Sequence, residues 1–117
     1  MPNSIKLVIP LLPVSVNHYV RHTRSGRHYL TKEAKAFKNA VAIIARRKKV
    51  DAQSYHVDVH LYLGHGQRGD VDNFNKLVLD ALVDAGVIHS DAAVSELFTF
   101  KYRDRGNPRT EISVEGL

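Results

Sequence analysis

The sequence predicts an α+β fold: a single domain with a mixed β-sheet and two main helices, in the order β-α-β-α-β-β. Three observations predict it. The stretch from Tyr55 to Leu63 alternates apolar and polar residues with the period of two of a half-buried strand. Two other stretches, one behind Thr31 and one from about Asp72, repeat apolar residues at helical spacing. Finally, 117 residues with 44% hydrophobic and 25% charged side chains make one globular domain, residues 1–117, with little room for a second. Hairpin and crossover connections are mixed in this order, so both helices are expected to lie on the sheet.

Each element has its own local signal. Ser4 to Ile9 alternates lightly and stops at Pro10, which reads as a first strand. Pro13-Val14-Ser15-Val16-Asn17-His18-Tyr19 is turn-rich and leads through Ser25-Gly26-Arg27, a loop or an irregular strand pair. Thr31 has N-cap chemistry, because its hydroxyl can accept from a free amide of a first helical turn. Behind it Ala34, Phe37, Val41, Ile44 and Ala45 share a face, predicting an amphipathic helix to about Lys49. Its last turn, Arg46 to Lys49, would be cationic and suit the negative end of the helix dipole.

In the second strand Tyr55, Val57, Val59, Leu61 and Leu63 alternate with His56, Asp58, His60 and Tyr62. Gly64-His65-Gly66-Gln67-Arg68-Gly69 breaks it with a loop. From about Asp72 the residues Phe74, Leu77, Val78, Ala81, Leu82 and Ala85 form one apolar stripe, closed by Gly86 as C-cap. After a loop at Ser90-Asp91, Val94 to Tyr102 reads as a strand. Asp104-Arg105-Gly106-Asn107-Pro108 turns it into a last strand, Thr110 to Val114. No repeat, linker or low-complexity tract interrupts this order.

Composition excludes several function classes. Without cysteine there is neither a structural disulfide nor a thiolate metal site, which agrees with a reducing cytoplasm. The apolar run Leu7-Val8-Ile9-Pro10-Leu11-Leu12-Pro13-Val14 falls short of the roughly twenty residues that span a bilayer. Its two prolines and weakly charged flank also fit a signal peptide poorly. A soluble, cytoplasmic protein without a membrane partner is expected.

The net charge of +5 is unevenly laid out. Between Arg21 and Lys49 stand Arg21, Arg24, Arg27, Lys32, Lys35, Lys38, Arg46, Arg47, Lys48 and Lys49, against Glu33 alone. Between Asp70 and Asp91 stand Asp70, Asp72, Asp80, Asp84 and Asp91, against Lys76 alone. A basic half holds phosphates through counterion release, although it also describes a solvated helix face. Clustered carboxylates repel one another and oppose a polyanion, unless they hold a hard divalent cation, whose ligands are typically Asp and Glu oxygens. A metal-dependent nuclease needs both features.

Helical spacing puts Asn73, Lys76, Asp80 and Asp84 on a different face from the apolar stripe. Asp72 lies one turn before Lys76, Asp70 precedes the helix, and Asp91 joins them if the chain folds back. The plainer account is that Asp70 or Asp72 caps the helix, and that Asp72, Lys76 and Asp80 form surface ion pairs of about 0.3–0.5 kcal/mol each. A rival metal site would use His56, Asp58 and His60, which share one strand face. The plainer account there is a solvated strand face. His18, His22, His28, His65 and His89 show no ligand spacing. The Gly64–Gly69 loop lacks the lysine-serine signature of a nucleotide phosphate loop.

The run Asp70-Val71-Asp72-Asn73-x-x-Lys76-x-x-x-Asp80-Ala81-Leu82, then Ala85-Gly86-Val87-Ile88 and Asp91, resembles the signature of the RusA-type Holliday junction resolvases. Pro13-x-Ser15-x-Asn17-x-Tyr19 resembles their early Pro-Ser-x-Asn segment. The resemblance implies a homodimeric endodeoxyribonuclease of recombination and repair that nicks four-way junctions symmetrically. The resemblance also implies Mg²⁺ as cofactor, with Mn²⁺ as a substitute, and no nucleotide cofactor. By motif position it implies Asp70, Asp72 and Asp91 as metal carboxylates and Lys76 as the catalytic lysine. Arg21, Arg24, Arg27, Lys35, Lys38 and Arg68 are the candidates for phosphate contacts, which position DNA without reading its sequence. Two residues depart from the family pattern: Ser90 stands where a second acid is common, and Val14 follows Pro13 where a second proline is common. The alternative function is a basic DNA-binding module whose acids are structural.

Overall fold

Strict alternation from Tyr55 to Leu63 makes this segment the centre of the sheet, with its odd-numbered side chains buried and its even-numbered ones half exposed. The computed structural model describes residues 3–14, 20–22, 28–64 and 74–117, residues 20–22 and 28–29 by backbone alone. In chain order the elements are β1 (Ser4–Ile9), β2 (Val20–His22), β3 (His28–Leu30), α1 (Lys32–Ile44), β4 (Tyr55–Leu63), α2 (Asn75–Asp84), a 3-10 turn (Asp91–Ala93), β5 (Val94–Arg103) and β6 (Arg109–Gly116). The main sheet runs β1-β6-β4-β5, and β2 pairs with β3 in a separate antiparallel ribbon. β4 and β5 are parallel, whereas β6 is antiparallel to both β1 and β4. A parallel neighbour requires a crossover, and α2 supplies it. The expected mixed sheet with two helices is what forms, and the uncertain segment before α1 contributes the ribbon.

One face of the sheet and both helices make the core. Leu7, Ile9, Val57, Val59, Leu61, Ile112 and Val114 are buried against Ala34, Phe37 and Val41 of α1 and Leu77, Val78, Ala81 and Leu82 of α2. Thr31 caps α1 as its chemistry suggested, its Oγ1 accepting from the Ala34 amide at 3.3 Å. The opposite face carries Lys6, His56, Asp58, His60, Phe98 and Phe100, and no described element covers it.

Two helix boundaries differ from those expected. α1 ends at Ile44 instead of near Lys49, and Arg47 adopts a left-handed backbone with φ 62°. The reason is tertiary. The early exit delivers Val50 to the core with no exposure. There its amide donates to the Val87 carbonyl at 3.0 Å and its carbonyl accepts from the Tyr55 hydroxyl at 3.1 Å. Arg46 to Lys49 therefore do not form a helical last turn, and the dipole explanation for them falls. α2 begins at Asn75 instead of about Asp72, with the buried Phe74 in the cap position and no side-chain cap bond. Its other end matches expectation. Gly86, at φ 80°, lets its own amide reach the Val83 carbonyl and the Val87 amide reach the Leu82 carbonyl, each at 3.0 Å.

Candidate functional site

Phe74 holds the cap position of α2 and makes no side-chain cap bond. Asp70 and Asp72 themselves lie outside the described residues, as do Arg24, Arg27, Arg68 and the side chain of Arg21. Lys76 stands on the first turn of α2, its ammonium 3.5 Å from Asp80 one turn on, with side-chain exposures of 60% and 26%. An exposed pair of this kind is worth only a few tenths of a kcal/mol and yields easily to a stronger anion.

The 3-10 turn bearing Asp91 packs against α2. Ser90, which stands where the family often has an acid, shapes the turn: its hydroxyl accepts from the Ala92 amide at 3.1 Å. The Asp91 side of this turn is exposed to solvent.

Strand β5 holds both ends of the segment that carries the motif. Thr99 donates its hydroxyl to the Asn75 side-chain oxygen at 2.9 Å, fixing the start of α2. Arg103 donates to the Gly64 carbonyl at 2.8 Å, and the Asp104 amide donates to the Leu63 carbonyl at 2.8 Å, fixing the exit from β4. Sequence reasoning missed Thr99 and Arg103. Their signal was present: the helix-facing side of β5 runs Leu97, Thr99, Lys101, Arg103, turning polar where a buried strand should stay apolar.

Of the basic candidates, Lys35 is exposed on α1. Lys38 instead bridges the helices, its ammonium 2.8 Å from Asp84 and its side chain 19% exposed. The rival histidine site has no free ligand at its centre. His56 meets Glu96 through Nδ1 at 2.8 Å and Asp58 through Nε2 at 2.9 Å, so both ring nitrogens are used. Glu96, chiefly, raises the His56 pKa from 6.5, against the opposing effect of burial and with help from Asp58. His60 Nδ1 meets the Tyr102 hydroxyl at 2.9 Å. Among the described residues no three His, Asp or Glu side chains are arranged to hold a metal. No helix among them is long and apolar enough to cross a membrane.

Comparison with known proteins decides the family. The model of the family "Endodeoxyribonuclease RusA" matches residues 10–115. The chain belongs to the RusA endodeoxyribonuclease family. It is 30% identical over 115 residues to the crossover junction endodeoxyribonuclease RusA of Escherichia coli strain K12, covering 96% of this chain and 94% of that protein. The corresponding protein of Enterobacteria phage 82 gives the same identity and coverage. That of Shigella sonnei strain Ss046 is 29% identical over the same shares. All candidate site residues, from Arg21 to Asp91, fall inside the matched RusA segment.

Proposed function

We propose that this RusA-family chain acts as a homodimer that resolves four-way DNA junctions by paired, Mg²⁺-dependent phosphodiester hydrolysis in recombination and repair. The observation that carries the reading is the placement of Lys76 on the first turn of α2, with the Asp91 turn packed against the same helix. The curated relatives are named for crossover junctions, and this chain covers nearly their whole length.

Asp70, Asp72 and Asp91 supply only carboxylate oxygens, the donor set that suits Mg²⁺ and admits Mn²⁺. A divalent cation bound by them would polarise the scissile phosphoryl group and make a water more acidic. The remaining roles belong to the chain. Lys76, loosely held by Asp80, presents a compact positive charge to the phosphate as negative charge builds on its oxygens. Lys35 on α1, with Arg21, Arg24, Arg27 and Arg68, positions phosphates without reading bases. Lys38 serves first to tie α1 to α2. A two-fold dimer matches the symmetry of a four-way junction and supplies one site for each nick.

The decisive experiment incubates the purified protein with a four-way junction and with a linear duplex of matching sequence, in Mg²⁺ and in chelator. Symmetric nicks in the junction alone, and only with metal, are expected. Junction binding without nicking in Mg²⁺ would establish the non-catalytic DNA-binding module instead.

A further inference from the structure

The exposed run Arg46-Arg47-Lys48-Lys49 lies past the end of α1 at Ile44, and neither the helix nor the site described above uses it. Its backbone is nevertheless fixed. Ala45 is buried before it and Val50 after it, and the Lys48 amide donates to the Ala45 carbonyl at 2.9 Å. Lys49 lies 3.4 Å from Asp51, whereas Arg46, Arg47 and Lys48 meet no carboxylate among the described residues. Three like charges on neighbouring residues repel one another, and the backbone adds a further cost. Arg47 has φ 62°, a conformation that glycine or asparagine adopts far more readily. Neither propensity nor a partner side chain accounts for an arginine there.

This turn is held against the segment that carries Asp91. The Val50 amide donates to the Val87 carbonyl at 3.0 Å. The Tyr55 hydroxyl, on a buried side chain, donates to the Val50 carbonyl at 3.1 Å and accepts from the His89 amide at 3.3 Å. The Tyr55 ring also packs on His89, with centroids 5.5 Å apart. Residues 87–89 lead directly into Ser90 and the exposed Asp91.

We infer that Arg46, Arg47 and Lys48 form a phosphate-binding site for the DNA strand that passes Asp91. The inference deepens the nuclease reading proposed above and rests on it for the role of Asp91. A carboxylate facing a phosphodiester repels it, and cations fixed beside that carboxylate offset the repulsion as DNA docks. Arginine presents paired N–H donors to phosphate oxygens, and lysine adds a compact point charge. Three consecutive residues extend over about 7–8 Å. A strand offers one phosphate per ~3.4 Å of duplex axis, so the turn spans about two phosphates. Such contacts hold the backbone and read no bases. Because both ends of the turn are buried, docking has only side chains to order. A lipid surface fits less well: α1 spends its apolar face on the core and leaves Ile43 as its one large exposed apolar side chain.

The test compares wild type with the triple variant Arg46→Gln/Arg47→Gln/Lys48→Gln. Lys6→Gln, on the opposite face of the sheet, measures the effect of net charge alone. Junction affinity is followed against salt in chelator. The triple variant should bind roughly tenfold or more weakly, and its slope of log K against log[salt] should fall by about 2–3. Nicking in Mg²⁺ at saturating protein should stay within about threefold of wild type, as for a contact that serves binding. A slope change no larger per charge than that of Lys6→Gln overturns the inference.

Arg47→Gly separates function from folding. Glycine suits φ 62°, so this variant should melt no lower than wild type while its salt slope falls by about 0.9. A lower melting temperature with an unchanged slope would make Arg47 structural and overturn its assignment. Lys48→Cys, the sole thiol of a cysteine-free chain, can carry a photo-crosslinker. Its adducts should fall on the nicked strand beside the nick, and adducts spread evenly along the arms overturn the placement. A wild type that binds junctions without nicking them, alongside a triple variant with the reduced slope, overturns the nuclease reading and leaves the phosphate site standing. Unchanged DNA binding with lost binding to phosphatidylserine vesicles would assign the turn to a membrane surface and overturn the inference.

Discussion

Thr99 on β5 donates its hydroxyl to the side-chain oxygen of Asn75, the first residue of α2, at 2.9 Å. Asn75 immediately precedes Lys76, so this bond ties the lysine-bearing turn to the sheet. Arg103, four residues along the same strand, holds the Gly64 carbonyl at the exit of β4. Gly64 and Asn75, which flank the segment with Asp70 and Asp72 in sequence, are therefore both tied to one strand.

Thr99→Val removes the donor while keeping the shape. It should cost about 1 kcal/mol of stability, the net worth of one hydrogen bond. Catalysis should fall further, because a misplacement of about 1 Å at a reacting centre costs up to 10²-fold. A roughly tenfold lower single-turnover cleavage rate is expected at unchanged junction affinity. Thr99→Ser, which restores the hydroxyl, should recover most of it. Wild-type cleavage by Thr99→Val would remove this bond from the positioning of Lys76.

Asp72→Asn exchanges a charged oxygen for an amide of the same size. The variant should fold and bind junctions at least as well as wild type, since one negative charge facing phosphate is gone. Cleavage in Mg²⁺ should drop by 10²-fold or more, with the weakened electrostatic stabilisation as the cause. Gel-shift and nicking assays on the same junction separate the two effects, and near-wild-type nicking would take Asp72 out of the site.

The basic face divides into two kinds of lysine, and salt dependence distinguishes them. Lys35 is exposed, and its replacement by Ala should weaken junction binding and lower the slope of log K against log[salt] by about 0.9. Lys38 is held on Asp84 at 2.8 Å between the two helices. Lys38→Ala should instead lower the melting temperature, because α1 and α2 lose their polar tie, and change the salt slope less than Lys35→Ala does. Equal slopes for the two variants would show that both lysines meet phosphate.

What was legible in the sequence was whatever depends on near neighbours. Tyr55 to Leu63 announces a strand because its period is two, Thr31 announces a cap, and Gly86 announces a helix end that needs a positive φ. The motif from Asp70 to Asp91 was readable for the same reason, as spacing within one helix and its flanks. What stayed hidden depends on distant partners. The end of α1 is set by where Val50 must go, and that is set by Val87 and Tyr55. Lys38 could not be known to pair with Asp84, 46 positions away. β5 carries apolar residues on both sides, Leu97 on one and Phe98 and Phe100 on the other. Only its register with β4 decides which side is left in water.

His56 supplies a pH test of the same face. Glu96 on β5 and Asp58 on β4 hold its two ring nitrogens, and its pKa lies above the ordinary 6.5, with the Glu96 hydrogen bond as the main cause. The folded protein thus binds this proton more tightly than the unfolded chain. The stabilisation is fully present below about pH 6.5 and is lost as pH rises through the raised folded value. His56→Gln keeps a polar side chain but cannot carry the charge. Wild type should therefore out-melt His56→Gln by a larger margin at about pH 5.5 than at about pH 8.5. For a half-exposed pair the difference should be on the order of 2 °C. The proton titration of the His56 ring, followed by NMR, should show a midpoint above that of a free histidine. A midpoint at or below the free value would mean that Glu96 does not hold the imidazolium in solution, and the margin between the two proteins should then be flat with pH.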